Sequence, residues 1–128
     1  MIIRELRIES FGVLRGVAFQ GLGPGVQVVY GQNEAGKTTL LEFIRGIVFG
    51  FEPRARYVCD GEQILSGRMA CEVRGNPLLL SRRFSPAEGE ACEIRWNEQR
   101  LSEDDFRELL RGFDESVFCS VFAITLDE

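Results

Sequence analysis

The sequence predicts an α/β domain, and three observations carry that prediction. The chain opens on period-two alternation broken by a glycine, which is the pattern of a β-hairpin. A short, nearly all-apolar run then leads into a glycine-bounded loop and a stretch of helical periodicity. Three further alternating runs follow, separated by turn-forming clusters, so strands lie on both sides of one strand–loop–helix unit. With 128 residues, 45% of them hydrophobic, the chain has the length of one domain, 1–128, and enough apolar surface for a core without disulfide or metal staples.

From Ile2 to Phe11, Leu6 and Ile8 fall on one face and Glu5, Arg7 and Glu9 on the other, as in a half-buried strand. Gly12 breaks the run, Val13 to Gln20 alternates again through Val17 and Phe19, and Gly21-Leu22-Gly23-Pro24-Gly25 reads as a turn. Val26-Gln27-Val28-Val29-Tyr30 is short and β-branched, which suits a strand covered on both faces. From Lys37 to Phe49 the spacing predicts a helix, with Leu41, Ile44 and Val48 on one stripe, Glu42 and Arg45 on another face, and Gly50 at its end. Residues 52–65 read as an exposed loop. Alternating runs at about 68–74, 78–84 and 92–97 predict a meander. Ser102 followed by Asp105 resembles a capping box, and Phe106, Leu109 and Leu110 supply the apolar stripe of a second helix over 103–111.

Composition excludes several kinds of chemistry. With no His in the chain, Ser-His-Asp and Cys-His nucleophilic sites and His-ligated zinc cannot be built from it. Cys59, Cys71, Cys92 and Cys119 lie far apart, with no metal-ligand spacing, and fit free thiols in a reducing cytosol. The N-terminus is charged from Arg4, unlike a signal peptide, and no run has the length of a membrane span, which predicts a cytoplasmic protein with no membrane partner. Residues 1–64 carry 7 basic and 7 acidic groups and residues 65–128 carry 8 and 13, so the net charge of −5 lies in the second half. Such a surface repels a phosphate backbone, so any contact with DNA is expected to be indirect.

The motif that carries chemistry is Gly31-Gln32-Asn33-Glu34-Ala35-Gly36-Lys37-Thr38, which fits the phosphate-binding pattern G-x-x-x-x-G-K-[ST] at every fixed position. The glycines let the loop curl so that successive backbone N–H groups point at a polyphosphate. Lys37, the sole lysine among 15 basic residues, reaches the β- and γ-phosphates. The Thr38 hydroxyl is placed for Mg²⁺, and Thr39 and the helix N-terminus add N–H groups and a dipole to the same anion. The pattern therefore predicts that ATP and Mg²⁺ bind at residues 31–39. Glu34 sits at a variable loop position, where a solvent-facing carboxylate is expected. A GTPase is disfavoured, because Asn-Lys-x-Asp needs a second lysine, and so is a nucleotide kinase, because about 30 residues precede the loop.

The opening MIIRELRIESFG, the segment GPGVQVVYGQNEAGKTTLLEFIRGIVFGF and the closing SVFAITLDE resemble the ATPase heads of SMC-like coiled-coil proteins, in the bacterial YhaN/SbcC-like branch. The resemblance implies the N-terminal lobe of an ABC-type P-loop NTPase head, an antiparallel β-subdomain packed on a partial P-loop core with two helices. It also implies a coiled coil leading to a complementary C-terminal lobe that carries the signature, Walker B and switch residues. A second head would join as an ATP-dependent dimer, and the parent protein would serve DNA repair or chromosome maintenance, with a nuclease subunit as partner by family analogy.

Two stretches bear a superficial likeness to the later motifs. Leu65-Ser66-Gly67-Arg68 begins like an ABC signature, but its alternation is that of a strand, whereas a signature needs a helix N-terminus. Val121 to Glu128 ends in Asp127-Glu128, where Walker B would place a Mg²⁺-holding aspartate and a water-activating glutamate. Thr125 interrupts that apolar run, and the resemblance places the segment at the loop joining the two lobes. Asp127 and Glu128 remain catalytic candidates beside Lys37, and a solvated terminus is the third reading. The resemblance can place Arg54 or Arg56 near nucleotide or DNA, although a solvated loop is the favoured reading for both. Arg82 and Arg83 read as strand-edge charges, and Trp96 and Phe106 as core. The competing functional readings are an interaction module with an empty phosphate loop and a small P-loop kinase.

Overall fold

A computed structural model describes residues 2–23, 36–58 and 64–111, with the backbone alone of Lys37 and Arg56. Its framework is a six-stranded antiparallel sheet in the order β2-β1-β3-β4-β5-β6. The strands are β1 (Ile2–Phe11), β2 (Leu14–Phe19), β3 (Leu65–Val73), β4 (Asn76–Ser85), β5 (Gly89–Trp96) and β6 (Gln99–Leu101). Helix α1 (Lys37–Phe49) covers one face, a 3-10 segment follows it at Glu52–Tyr57, and helix α2 (Glu103–Leu109) follows β6.

The period-two pattern of the sequence accounts for the sheet's two faces. Leu6 and Ile8 of β1, Leu65, Met69, Cys71 and Val73 of β3, Leu78, Leu80 and Phe84 of β4 and Ile94 of β5 are buried, whereas Arg7, Glu9, Arg68, Leu79 and Arg95 between them are exposed. Arg74 and Gly75, both at positive φ, close a two-residue turn between β3 and β4. Asn97 and Glu98 do the same between β5 and β6, and β6 is an element absent from the expected meander. β3 also begins at Leu65, ahead of the expected start near 68, so Leu65-Ser66-Gly67-Arg68 is strand.

Helix α1 has the expected span, but its core stripe differs from the expected one. Leu40, Phe43 and Ile47 face the sheet together with Val48, while Leu41 and Ile44 are half-buried. Because the helix is apolar on most sides, two neighbouring stripes are available, and the sheet selects the one whose ring fits over Gly67. A Cβ at Gly67 would lie 2.4 Å from Phe43 Cε2 and 2.7 Å from the Arg7 carbonyl oxygen, so this close approach requires glycine. Phe11, Phe43 and Phe51 form an aromatic cluster with centroids 5.5–5.9 Å apart.

Two expectations about arginines are corrected. Arg54 lies in the 3-10 segment and is buried: its Nη1 donates to the Gly50 carbonyl at 2.8 Å, and its Nε lies 3.3 Å from Glu42 Oε2 on α1. Residues 52–57 thus form a 3-10 segment that buries Arg54, while Glu52, Pro53 and Ala55 stay exposed as expected. Arg82 is no strand-edge charge either, because β4 is an interior strand and the side chain points into the core. Arg83 lies on the same interior strand and so is no edge charge either, but its side chain is exposed. Ser102 caps α2 by accepting the Asp105 N–H at 3.1 Å, and the helix ends at Leu109 rather than near 111. Trp96 packs on the core and donates Nε1–H to the Val73 carbonyl at 3.2 Å, and Phe106 is buried. Cys71 and Cys92 are free thiols, and burial pushes Cys71 up to about 12. No helix among the described residues is long and apolar enough to cross a membrane.

Candidate functional site: the N-terminus of α1

The expected phosphate site is at the start of α1. Gly31, Gln32, Asn33, Glu34 and Ala35 lie outside the described residues, as do the expected strand 26–30, the side chain of Lys37, and Asp127 and Glu128. Gly36, Thr38 and Thr39 are described, and so is the backbone that joins them.

Gly36 is the N-cap residue, with φ 88° and ψ 21° in the left-handed region that glycine adopts without a Cβ penalty. Intrahelical pairing begins where the Leu40 N–H donates to the Gly36 carbonyl at 2.8 Å. The amides of Lys37, Thr38 and Thr39 therefore precede the first i to i−4 bond and point out of the helix end. The first turn holds no acidic residue, and no side chain caps Gly36. Thr38 is exposed, whereas Thr39 is half-buried against the β1–β2 turn.

That turn holds the loop exit in place. A Cβ on Gly36 would stand 3.1 Å from Leu14 Cδ2 and 3.2 Å from Val13 Cγ2, so both side chains abut the left-handed residue. Gly12 donates its N–H to the Tyr57 carbonyl at 2.7 Å, and the rings of Phe11 and Tyr57 stack with centroids 4.8 Å apart. Thr39 Cγ2 would lie 3.0 Å from a Cβ on Gly12. The hairpin turn is thus wedged between the α1 N-terminus and the 3-10 segment, with Val13 70% exposed beside Gly36.

The opposite end of α1 is closed by cations from elsewhere in the chain. Arg82 donates from Nε to the Ile47 carbonyl at 3.1 Å and from Nη2 to the Val48 carbonyl at 3.5 Å, and Arg54 holds the Gly50 carbonyl. Helix dipoles leave partial negative charge at a C-terminus and partial positive charge at an N-terminus. Here the negative end meets two guanidinium groups although the last turn has no basic residue of its own. The positive end meets no acid in its first turn, which leaves it suited to an exogenous anion.

An AAA domain family model matches residues 1–128, the entire chain. The chain belongs to the AAA domain family. This AAA domain is 27% identical over 122 residues to the uncharacterized protein YhaN of Bacillus subtilis (strain 168); the match takes in 94% of this chain and 13% of that protein, so the chain spans about an eighth of its relative's length. A solved structure from the structural biochemistry of ATP-driven dimerization and DNA-stimulated activation of SMC ATPases aligns with a TM-score of 0.63 at 17% identity, covering 86% of this chain and 78% of the other. The fold is that of an SMC-like ABC-type ATPase head lobe.

Sequence reasoning missed Arg82, Arg54 and the Val13-Leu14 contact with Gly36. For Arg82 a signal exists in the sequence: Leu78, Leu80 and Phe84 define the buried phase of β4, and position 82 falls on it. For Arg54 no periodicity is available, since its burial follows from the return of the chain past α1.

Proposed function

We propose that this AAA domain is the ATP-binding half of an SMC-like ATPase head. The observation that carries the reading is the polarity of α1, whose N-terminus starts on a left-handed glycine and lacks an acid in its first turn while two arginines close its C-terminus. The residues fit a nucleoside triphosphate. Gly31, Gln32, Asn33, Glu34, Ala35 and Gly36 supply the loop's backbone N–H groups, Lys37 sets its ammonium against the β- and γ-phosphates, and Thr38 and Thr39 continue the ring of donors. The exposed Thr38 hydroxyl is the ligand this chain offers to Mg²⁺, which supplies charge neutralisation across the phosphates when bound.

In this reading the chain orients ATP and excludes little water by itself. In-line attack on a γ-phosphate needs a positioned water and charge stabilisation from several sides. A C-terminal lobe carrying signature and Walker B, and a second head meeting the first across ATP, complete those sides; Asp127 and Glu128 belong to the stretch that joins the lobes. The isolated chain binds ATP with little turnover. Contacts to DNA and to a nuclease subunit belong to the longer parent protein, whose work is DNA repair or chromosome maintenance in the cytoplasm.

Thermal unfolding with Mg·ATP, Mg·GTP and a Lys37→Ala variant tests the proposal. A ligand at 100 times its Kd that binds only the folded state adds about 2.7 kcal/mol, so wild type should gain several degrees with Mg·ATP and the variant much less. No response of wild type to either nucleotide would leave the interaction module. ATP consumption only with an added acceptor would favour a kinase.

A further inference from the structure

We infer that Arg82 is a positioning residue for the nucleotide cradle, and that it links occupancy of the cradle to helix α2. The inference rests on the ATP-binding reading of the α1 N-terminus. Helix α1 has 13 residues and is therefore about 20 Å long, a stiff rod whose two ends move together. Its N-terminus ends at the phosphate loop, and its C-terminal carbonyls of Ile47 and Val48 rest on the Arg82 guanidinium.

The same guanidinium has two further contacts, both with carboxylates. Arg82 Nη1 lies 3.2 Å from Glu90 Oε1 on β5 and 3.7 Å from Glu103 Oε1, and Glu103 is the first residue of α2. Glu90 also accepts the N–H of Phe51, just beyond the end of α1. One buried side chain thus touches the end of the loop-bearing helix, a neighbouring strand and the start of α2. A planar fork of donors can satisfy two carbonyls and two carboxylates at once, which an ammonium cannot.

The contacts differ in how easily they yield. The Arg82 backbone is fixed in an interior strand, and Glu90 is tied both to Arg82 and to the Phe51 amide. The pair with Glu103 is the longest, and the Glu103 side chain is 52% exposed. When a triphosphate draws on the N-terminal amides of α1, the shift along the helix axis reaches Arg82 through Ile47 and Val48. The Glu103 arm is the one that gives, so α2 responds. The two coupled places are the cradle and the α2 N-terminus, and the bistable element is the Arg82–Glu103 contact, formed or released.

Hydrogen exchange of the 128-residue chain with and without Mg·ATP, read at 36–39 and at 103–109, tests this together with ATP affinity by titration. In wild type, Mg·ATP should protect 36–39 and change exchange at 103–109 by at least about twofold. Glu103→Gln should keep ATP binding and protection at 36–39 while the response at 103–109 disappears. Arg82→Lys, which keeps the charge and loses the fork, should weaken ATP binding roughly tenfold in a chain that still shows its folded circular dichroism. An α2 response unchanged in Glu103→Gln, no α2 response in a wild type that protects 36–39, or Arg82→Lys binding ATP like wild type would each overturn the inference and leave the ATP-binding reading standing. Should Arg82→Lys not fold, Glu103→Gln decides alone, its residue being half-exposed. No protection at 36–39 in wild type would overturn both.

Discussion

Gly36→Ala is the substitution that most directly probes the cradle. At φ 88° an L-residue suffers about 1–2 kcal/mol of backbone strain. The new methyl would also meet Leu14 Cδ2 at 3.1 Å and Val13 Cγ2 at 3.2 Å, which are side-chain tips able to give a few tenths of an ångström. Alanine reduces the freedom of the unfolded chain, which offsets about 0.4–1 kcal/mol. The expected net loss of stability is therefore modest, about 1 kcal/mol, measured by urea denaturation. The effect on ligand binding should be larger than that net value implies. A loop without ligand can relax Gly36→Ala toward negative φ, turning the amides of Lys37 to Thr39 away from the phosphates, and binding must then restore the strained form. Losing about 1.4 kcal/mol in this way weakens ATP roughly tenfold. The assay is ATP titration alongside denaturation of the same variant. Wild-type affinity in a Gly36→Ala chain would refute the argument that the left-handed turn aims the donors.

Gly67→Ala should lower stability by about 1–3 kcal/mol, because its Cβ would fall 2.4 Å from Phe43 Cε2 and 2.7 Å from the Arg7 carbonyl oxygen. Adding Phe43→Leu should relieve the ring clash but not the backbone one, so a double-mutant cycle that came out additive would refute the packing account. Ser102→Ala removes the α2 cap and should cost about 1 kcal/mol by denaturation; an unchanged urea midpoint would contradict its assignment as a cap. The Cys71 thiol, raised from 9.0 to about 12 by burial, stays protonated in the folded chain while the unfolded chain ionises above about pH 9. The unfolded state then binds fewer protons, so stability is intact below pH 9 and falls by up to about 1.4 kcal/mol per pH unit between 9 and 12. Cys71→Ala should flatten that decline, and an equal slope in both proteins would refute the assignment.

Local patterns made most of the sheet and both helices readable. Leu6 and Ile8 against Arg7 and Glu9 specify which face of β1 is buried, and Ser102 before Asp105 specifies where α2 begins, because each depends only on near neighbours in the chain. The start of α1 was legible for the same reason: Gly36-Lys37-Thr38 encodes a turn and a helix end together. Features set by distant contacts were not legible. The choice between the Leu40-Phe43-Ile47 stripe and its neighbour depends on Gly67, which lies twenty or more residues further along the chain. Arg54 reads as a loop charge until Glu42 and the Gly50 carbonyl are brought beside it. β6 is only three residues long, too short for alternation to register, and is held by its turn at Asn97-Glu98.

The distribution of cations follows from what each site asks of them. Of 15 basic residues 14 are arginine, and the two that are buried among the described residues, Arg54 and Arg82, each bridge a helix-end carbonyl and a carboxylate. That task needs several donors in fixed directions and a charge that burial cannot remove, which the guanidinium provides. A polyphosphate held by backbone amides already has its directional bonds, and what it still needs is a compact positive charge on a stem that can follow it, which is what an ammonium offers. Under the proposed ATP-binding reading, the solitary lysine, Lys37, answers that second requirement. Because α1 joins the two places, the arginines at its far end do more than neutralise a dipole. They hold the C-terminal carbonyls of the same helix whose first amides stand at the proposed phosphate site, which is why substitutions at Arg82 are expected to reach ATP affinity.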